Sequence, residues 1–117
     1  MKNKESTRYY SDLHEKKVCK ELGGKQTSNS GANLFQKGDV IVKDASLLVE
    51  CKCSMNEKSS FSIKKEWIDK NKEEAFRNNL NNTCICFNFE PNGRNYYVIE
   101  DRLMFMLVNK MKEFYSD

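Results

Sequence analysis

Hydrophobic and polar positions alternate along this chain with two different periods. Residues 9–22 repeat apolar positions at helical spacing, with Leu13, Val18, Cys19 and Leu22 in one stripe and Ser11 as the expected N-cap. Gly23-Gly24 ends that helix. Residues 25–28 form a candidate short strand, and Asn29-Ser30-Gly31-Ala32-Asn33 reads as a loop. The period then drops to two. Gly38-Asp39-Val40-Ile41-Val42 and Leu47-Leu48-Val49-Glu50-Cys51-Lys52-Cys53 are short apolar or β-branched runs around the turn-like Lys43-Asp44-Ala45-Ser46.

Beyond a polar connection at residues 55–62, a second helix is expected over 64–80. Trp67, Ile68, Ala75, Phe76 and Leu80 would be its inner side, with Trp67 as a core anchor in preference to a base-stacking platform. Residues 83–89 read as a buried-type strand, Pro91-Asn92-Gly93 as a turn and 96–99 as its hairpin partner. A last helix over 101–115 places Leu103, Met106, Leu107, Met111 and Phe114 at helical spacing, and Met104, Phe105 and Val108 widen its apolar face beyond what one small core needs. The order is α-β-β-β-α-β-β-α. It predicts one α/β domain over residues 1–117, with a mixed sheet of about five strands flanked by helices, a core over about 9–100 and the closing helix beyond it.

Alternation gives the second strand of the hairpin two unlike faces. Leu48, Glu50 and Lys52 share one, and Leu47, Val49, Cys51 and Cys53 share the other. A hairpin that brings Asp39 beside Glu50 gathers two carboxylates and an ammonium, the set that seats a hard divalent cation next to a phosphodiester. Asp39 and Glu50 are therefore candidate metal ligands, the backbone carbonyl of Cys51 a further oxygen, and Lys52 a candidate for orienting water or offsetting transition-state charge. Glu15, on the first helix, is a fourth candidate that would bring a carboxylate from another direction and with it a second metal position.

Composition changes this picture in three ways. The net charge of +3 is unevenly spread: residues 1–70 hold fourteen Lys/Arg and ten Asp/Glu, residues 71–117 six and seven, so the half with the acidic pair is also the basic half. That suits a polyanionic substrate, although ordinary surface lysines would give the same count. Five cysteines without a secretory signal argue against a disulfide framework. The pairs Cys51/Cys53 and Cys84/Cys86 lie in apolar period-two runs, which favours buried core thiols over a structural zinc. No apolar run approaches the ~20 residues of a membrane span, and the charged start of the chain lacks a signal peptide's apolar segment, so a cytoplasmic protein is expected. His14 is expected as a partly exposed helix residue without a role.

These residues, in this order, resemble the PD-(D/E)xK nuclease superfamily, with the nearest likeness to archaeal Holliday junction resolvases and their phage relatives. The likeness runs from Glu15-Lys16-Lys17-Val18-Cys19-Lys20-Glu21-Leu22-Gly23 through the loop Ser28-Asn29-Ser30-Gly31-Ala32. It continues through Gly38-Asp39 in place of Pro-Asp and Glu50-Cys51-Lys52, to Gly93-Arg94-Asn95-Tyr96-Tyr97-Val98-Ile99. Glycine replaces the motif proline at 38, and Ala32 stands where the resolvase loop has its second serine. The resemblance implies a restriction-endonuclease-like fold and a Mg²⁺-dependent endodeoxyribonuclease, with Mn²⁺ as a substitute, in a bacterial or archaeal cell or encoded by a phage. Asp39, Glu50, Lys52 and Glu15 would form its site, Ser30 would be its loop serine, and a two-fold homodimer would resolve four-way junctions by paired nicks. Arg8, Lys16, Lys25, Lys37 and Lys58 are candidate phosphate contacts. A restriction-like or repair endonuclease on duplex or flapped DNA, a non-catalytic nucleic-acid-binding protein of the same fold, and a plain α/β interaction domain are the competing readings.

Overall fold

A computed structural model describes residues 4–27 and 39–116, the side chains of residues 4–6 aside. Helix α1 spans Lys4–Leu22, strand β1 Lys25–Gln26, β2 Asp39–Val42 and β3 Leu47–Lys52. Helix α2 spans Lys65–Arg77, followed by β4 at Asn82–Phe87, β5 at Tyr96–Val98 and α3 at Asp101–Tyr115. The element order matches the expected one. Ser28, Ser30, Gly31, Ala32, Lys37 and Gly38, which the expected loop and motif include, lie outside the described residues.

The five strands lie in sequence order, β1-β2-β3-β4-β5. Among the described residues only β3 and β4 run parallel, joined by a crossover through α2; the other neighbours are antiparallel. The β2–β3 hairpin closes through a 3₁₀ turn at Lys43–Ala45, with Ser46 in the left-handed region at φ 50°. The parallel ladder continues past its last strand residues, because Ser54 donates from its amide to Asn88 Oδ1 (2.8 Å) and from its hydroxyl to the Asn88 carbonyl (2.7 Å). Both residues are buried, so these bonds hold together the strand ends at which Lys52 emerges.

One face of the sheet is a dry core. Val40, Val42, Val49, Cys84 and Cys86 pack there against Val18 of α1, with Cys19, Leu22 and Cys51 at the margin. Cys84 and Cys86 are thus core residues, Cys19 and Cys51 pack at their margin, Cys53 is half-buried outside that cluster, and all five are free thiols. Gly23 ends α1 at φ 73°, and the amides of both glycines donate to the Cys19 carbonyl (2.8 and 2.9 Å). A Cβ on Gly24 would stand 2.8 Å from the Ile41 carbonyl oxygen, so glycine is what lets the chain pass this close to β2.

Three local expectations, for Ser11, His14 and Phe76, are corrected. Helix α1 begins at Lys4, so Ser11 lies inside the helix and not at its cap. His14 is buried, because its position on α1 faces the sheet. Phe76 is 83% exposed: α2 turns Ile68, Asn71, Glu74 and Ala75 inward, and Phe76 stands about 100° round the helix from Ala75. Helix α3 buries no residue, so its apolar positions do not join the core. Its first turn is tied down by Arg102, which donates to the Asn81 carbonyl (3.0 Å) and Asn82 Oδ1 (2.8 Å). Among the described residues no helix is long and apolar enough to cross a membrane.

Candidate functional site

The face opposite the valine core carries the candidate residues Asp39, Glu50 and Lys52. Asp39 and Glu50 are direct cross-strand partners, which sets their Cβ atoms about 4.5–5.5 Å apart on one side of the sheet. Both are buried, at 1% and 7% exposure. Two residues further along β3, on the same face, Lys52 sets its Nζ 3.5 Å from Glu50 Oε2 and 4.3 Å from the centre of the Trp67 ring. The ammonium therefore rests between a carboxylate and an indole face, an arrangement that favours the cation from both sides.

Burial pushes the Glu50 carboxyl upward. Lys52 pulls it back, through charge and hydrogen bonding, while the charge of Glu74 adds to the upward push. Glu74 was not foreseen as a site residue. It is buried on the inner face of α2, beside Asn71, whose Nδ2 donates to the Cys84 carbonyl (3.1 Å). The signal was present in the sequence: Asn71 and Glu74, three apart, interrupt the stripe that Ile68 and Ala75 define.

Glu15 stands on α1, the helix packed against the other face. Its Oε1 accepts from Gln26 Nε2 of β1 (3.1 Å). It shares an electrostatic neighbour with Asp39, however: the Cys51 thiol is pushed up first by burial and further by the Cys86, Glu15 and Asp39 groups around it. Cys51 itself is in register with Cys86 of β4. The structure thus brings Asp39, Glu50 and Lys52 together, and places Glu15 on α1 near the Cys51 thiol that also senses Asp39.

Of the candidate phosphate contacts, Arg8, Lys16, Lys25 and Lys58 are exposed, and Lys16 pairs with Asp12 at 2.9 Å. Ser30 and Lys37 lie outside the described residues. Among the described residues no group of three or more His, Cys, Asp and Glu side chains gathers as a metal cage. The donor set nonetheless fits Mg²⁺, which binds through one or two carboxylates and keeps most of its water until substrate phosphate arrives.

Buried His14 anchors a separate network that runs out to the surface. Asn95 donates from Nδ2 to Glu21 Oε1 (2.9 Å), which orients its Oδ1 to accept from His14 Nε2 (2.9 Å). His14 Nδ1 is buried with no hydrogen-bond partner among the described residues, and burial holds the imidazole below its ordinary pKa. A second proton would have no acceptor, so the ring is neutral and structural.

The chain matches no family model, no curated protein and no solved structure.

Proposed function

We propose that this chain is a metal-dependent endodeoxyribonuclease of the PD-(D/E)xK kind, hydrolysing phosphodiester bonds in branched DNA. The four-way junction is the substrate its resemblance favours, and duplex or flapped DNA is the alternative. The observation that carries the reading is the cross-strand pairing of Asp39 with Glu50, with the Lys52 ammonium at the same carboxylate. The α-β-β-β-α-β order, with its one parallel strand pair, supports a restriction-endonuclease-like fold.

Asp39 and Glu50 would hold Mg²⁺, or Mn²⁺ in its place, with the Cys51 carbonyl as a further oxygen. Bound there, the ion polarises a phosphoryl oxygen and lowers the pKa of its water. The carboxylates would do the seating: with both ionised, their repulsion in a buried place is relieved by a bound cation. Lys52 supplies a fixed positive charge toward a phosphate brought to that edge, stabilising negative charge that grows as the bond breaks. Glu15 would act from the α1 side, on a second metal position.

A two-fold dimer is part of the proposal. Helix α3 exposes Met104, Phe105, Met106, Leu107 and Met111 along its length, a surface that a second copy would cover.

The test uses labelled four-way junction, nicked duplex and linear duplex, each with Mg²⁺ or EDTA. Paired symmetric nicks in the junction, lost in Asp39→Asn, are expected. Equal cleavage of linear duplex would reject junction selectivity, and DNA binding without metal-dependent cleavage of any substrate would reject the enzyme in favour of a binding module. Lys52→Ala should bind DNA while turning over at least about a hundredfold more slowly; unchanged turnover would remove Lys52 from the site.

A further inference from the structure

The sheet register places a row of side chains beside the carboxylate pair. Lys52 of β3 is in register with Phe87 of β4, and Phe87 with Tyr96 of β5, so the three lie side by side on the face that holds Asp39 and Glu50. Phe87 and Tyr96 are stacked at 5.8 Å between ring centres. Phe61, from the connection before α2, stacks on Phe87 at 4.9 Å and reaches the Trp67 ring at 6.3 Å. The result is a continuous aromatic shelf that begins under the Lys52 ammonium and ends at Tyr96, which is 44% exposed.

None of these rings belongs to the buried core; each is half-buried or exposed. Cations stand over them. Lys58 Nζ lies 5.6 Å from the Phe61 ring centre and Lys64 Nζ 5.7 Å from that of Trp67. The Lys58 backbone is anchored, its amide donating to the Phe89 carbonyl at 2.7 Å, so its side chain is presented at the shelf. Half-open rings interleaved with lysines are the surface that receives single-stranded nucleic acid: bases stack on the rings and phosphates take the ammonium groups. A lysine resting on an exposed ring is held weakly, so it can move to a phosphate and leave the ring face to a base. A closed duplex offers its phosphates to such a surface and keeps its bases to itself.

We infer that the shelf of Phe61, Phe87 and Tyr96 docks an unpaired DNA strand and leads it past Lys52 to the Asp39–Glu50 pair. The inference rests on the nuclease reading and deepens it, for it names the substrate as DNA with a single-stranded segment adjoining the cut: a flap, a splayed arm or an opened branch point.

Trp67 is the chain's one tryptophan, so its emission reports on the shelf directly. The wild-type protein in EDTA is titrated with oligothymidylate, with a splayed-arm duplex and with a blunt duplex of equal length, following Trp67 emission and the anisotropy of labelled DNA. The single strand and the splayed arm are expected to change the emission and to bind about tenfold or more tightly than the blunt duplex. Tyr96→Ala should lose about tenfold in single-strand affinity, with Tyr96→Trp restoring it. Lys58→Ala should lower the slope of log affinity against log salt by about 0.7. Equal affinity for strand and blunt duplex, or Tyr96→Ala binding single strands like wild type, overturns the inference. Cleavage with Mg²⁺ but no response to single strands sinks the shelf and leaves the nuclease standing. The full single-strand response without metal-dependent cleavage sinks the nuclease and keeps the shelf as a binding site.

Discussion

On the face of the sheet under α1, Val40, Val42, Val49, Cys84 and Cys86 close against Val18, and the His14 imidazole there is held neutral. On the other face the same strands set Asp39 beside Glu50 and place Lys52 under an indole. The strands are common to both, so the difference comes from the pleat alone: successive residues of β2 and β3 point to opposite sides. One set of side chains supplies burial, and at about 1.5–3 kcal/mol for each fully buried aliphatic side chain it can support the cost of desolvating the other set. The lesson concerns where a small domain can keep two buried acids: back to back with its tightest packing.

The comparison can be broken most severely at the acids. Asp39→Asn should lower metal-dependent cleavage by at least about a thousandfold, read from single-turnover rates, while unfolding in EDTA stays as stable as wild type or becomes more so. Activity within tenfold of wild type would end the claim that this face is a site. Next in size is packing. Leu48 lies wholly buried between Ile41 and Thr83 on the face that holds Asp39, and Leu48→Ala should cost about 2–5 kcal/mol in urea unfolding. A loss below 1 kcal/mol would mean that this face is not packed as described.

Acidity separates the two faces by sign. The folded-state pKa of Glu50 is raised from its ordinary 4.5, so the native state holds the proton longer than the unfolded chain does. In EDTA, its contribution makes stability fall as pH rises from about 4.5 through the raised value. His14 is lowered from 6.5, so its contribution is fully present above that value and is lost as pH falls from 6.5 toward the folded pKa. Melting curves across pH 4–8 should therefore lose the fall that begins above pH 4.5 in Glu50→Gln and the fall that begins below pH 6.5 in His14→Gln, each by about a few degrees. Mg²⁺ should raise the melting temperature at pH 8 in wild type and not in Asp39→Asn. The smallest effect on stability is expected at Phe105→Glu, 64% exposed on α3: within about 0.5 kcal/mol, yet enough to shift sedimentation toward monomer. An unchanged sedimentation coefficient would reject the proposed dimer through α3.

Much of this was legible before the structure. Period-two alternation placed Glu50 and Lys52 on one face of β3 and the cysteines on the other, and a short turn implied the antiparallel register that makes Asp39 the partner of Glu50. These are local rules, acting over a few residues, and the chain has little freedom to disobey them. Long-range packing was not legible. Trp67 was expected as a core anchor, but the docking of α2 leaves it half-buried with the Lys52 ammonium over its ring. Glu74 entered the site for the same reason, since the face a helix turns inward depends on the sheet it meets.

The amino-acid sequence by itself determined the order of elements, the hairpin and the side of the strand on which the acids stand, because the spacing of side chains along a backbone is set by its geometry. Only the tertiary structure decided that Glu15 accepts from Gln26 of β1, that His14 is sealed against Cys86 and Asn95, and that Lys52, Phe87 and Tyr96 form one row. Each of those juxtapositions joins residues distant in the chain, and which of them come together is settled by how whole elements pack.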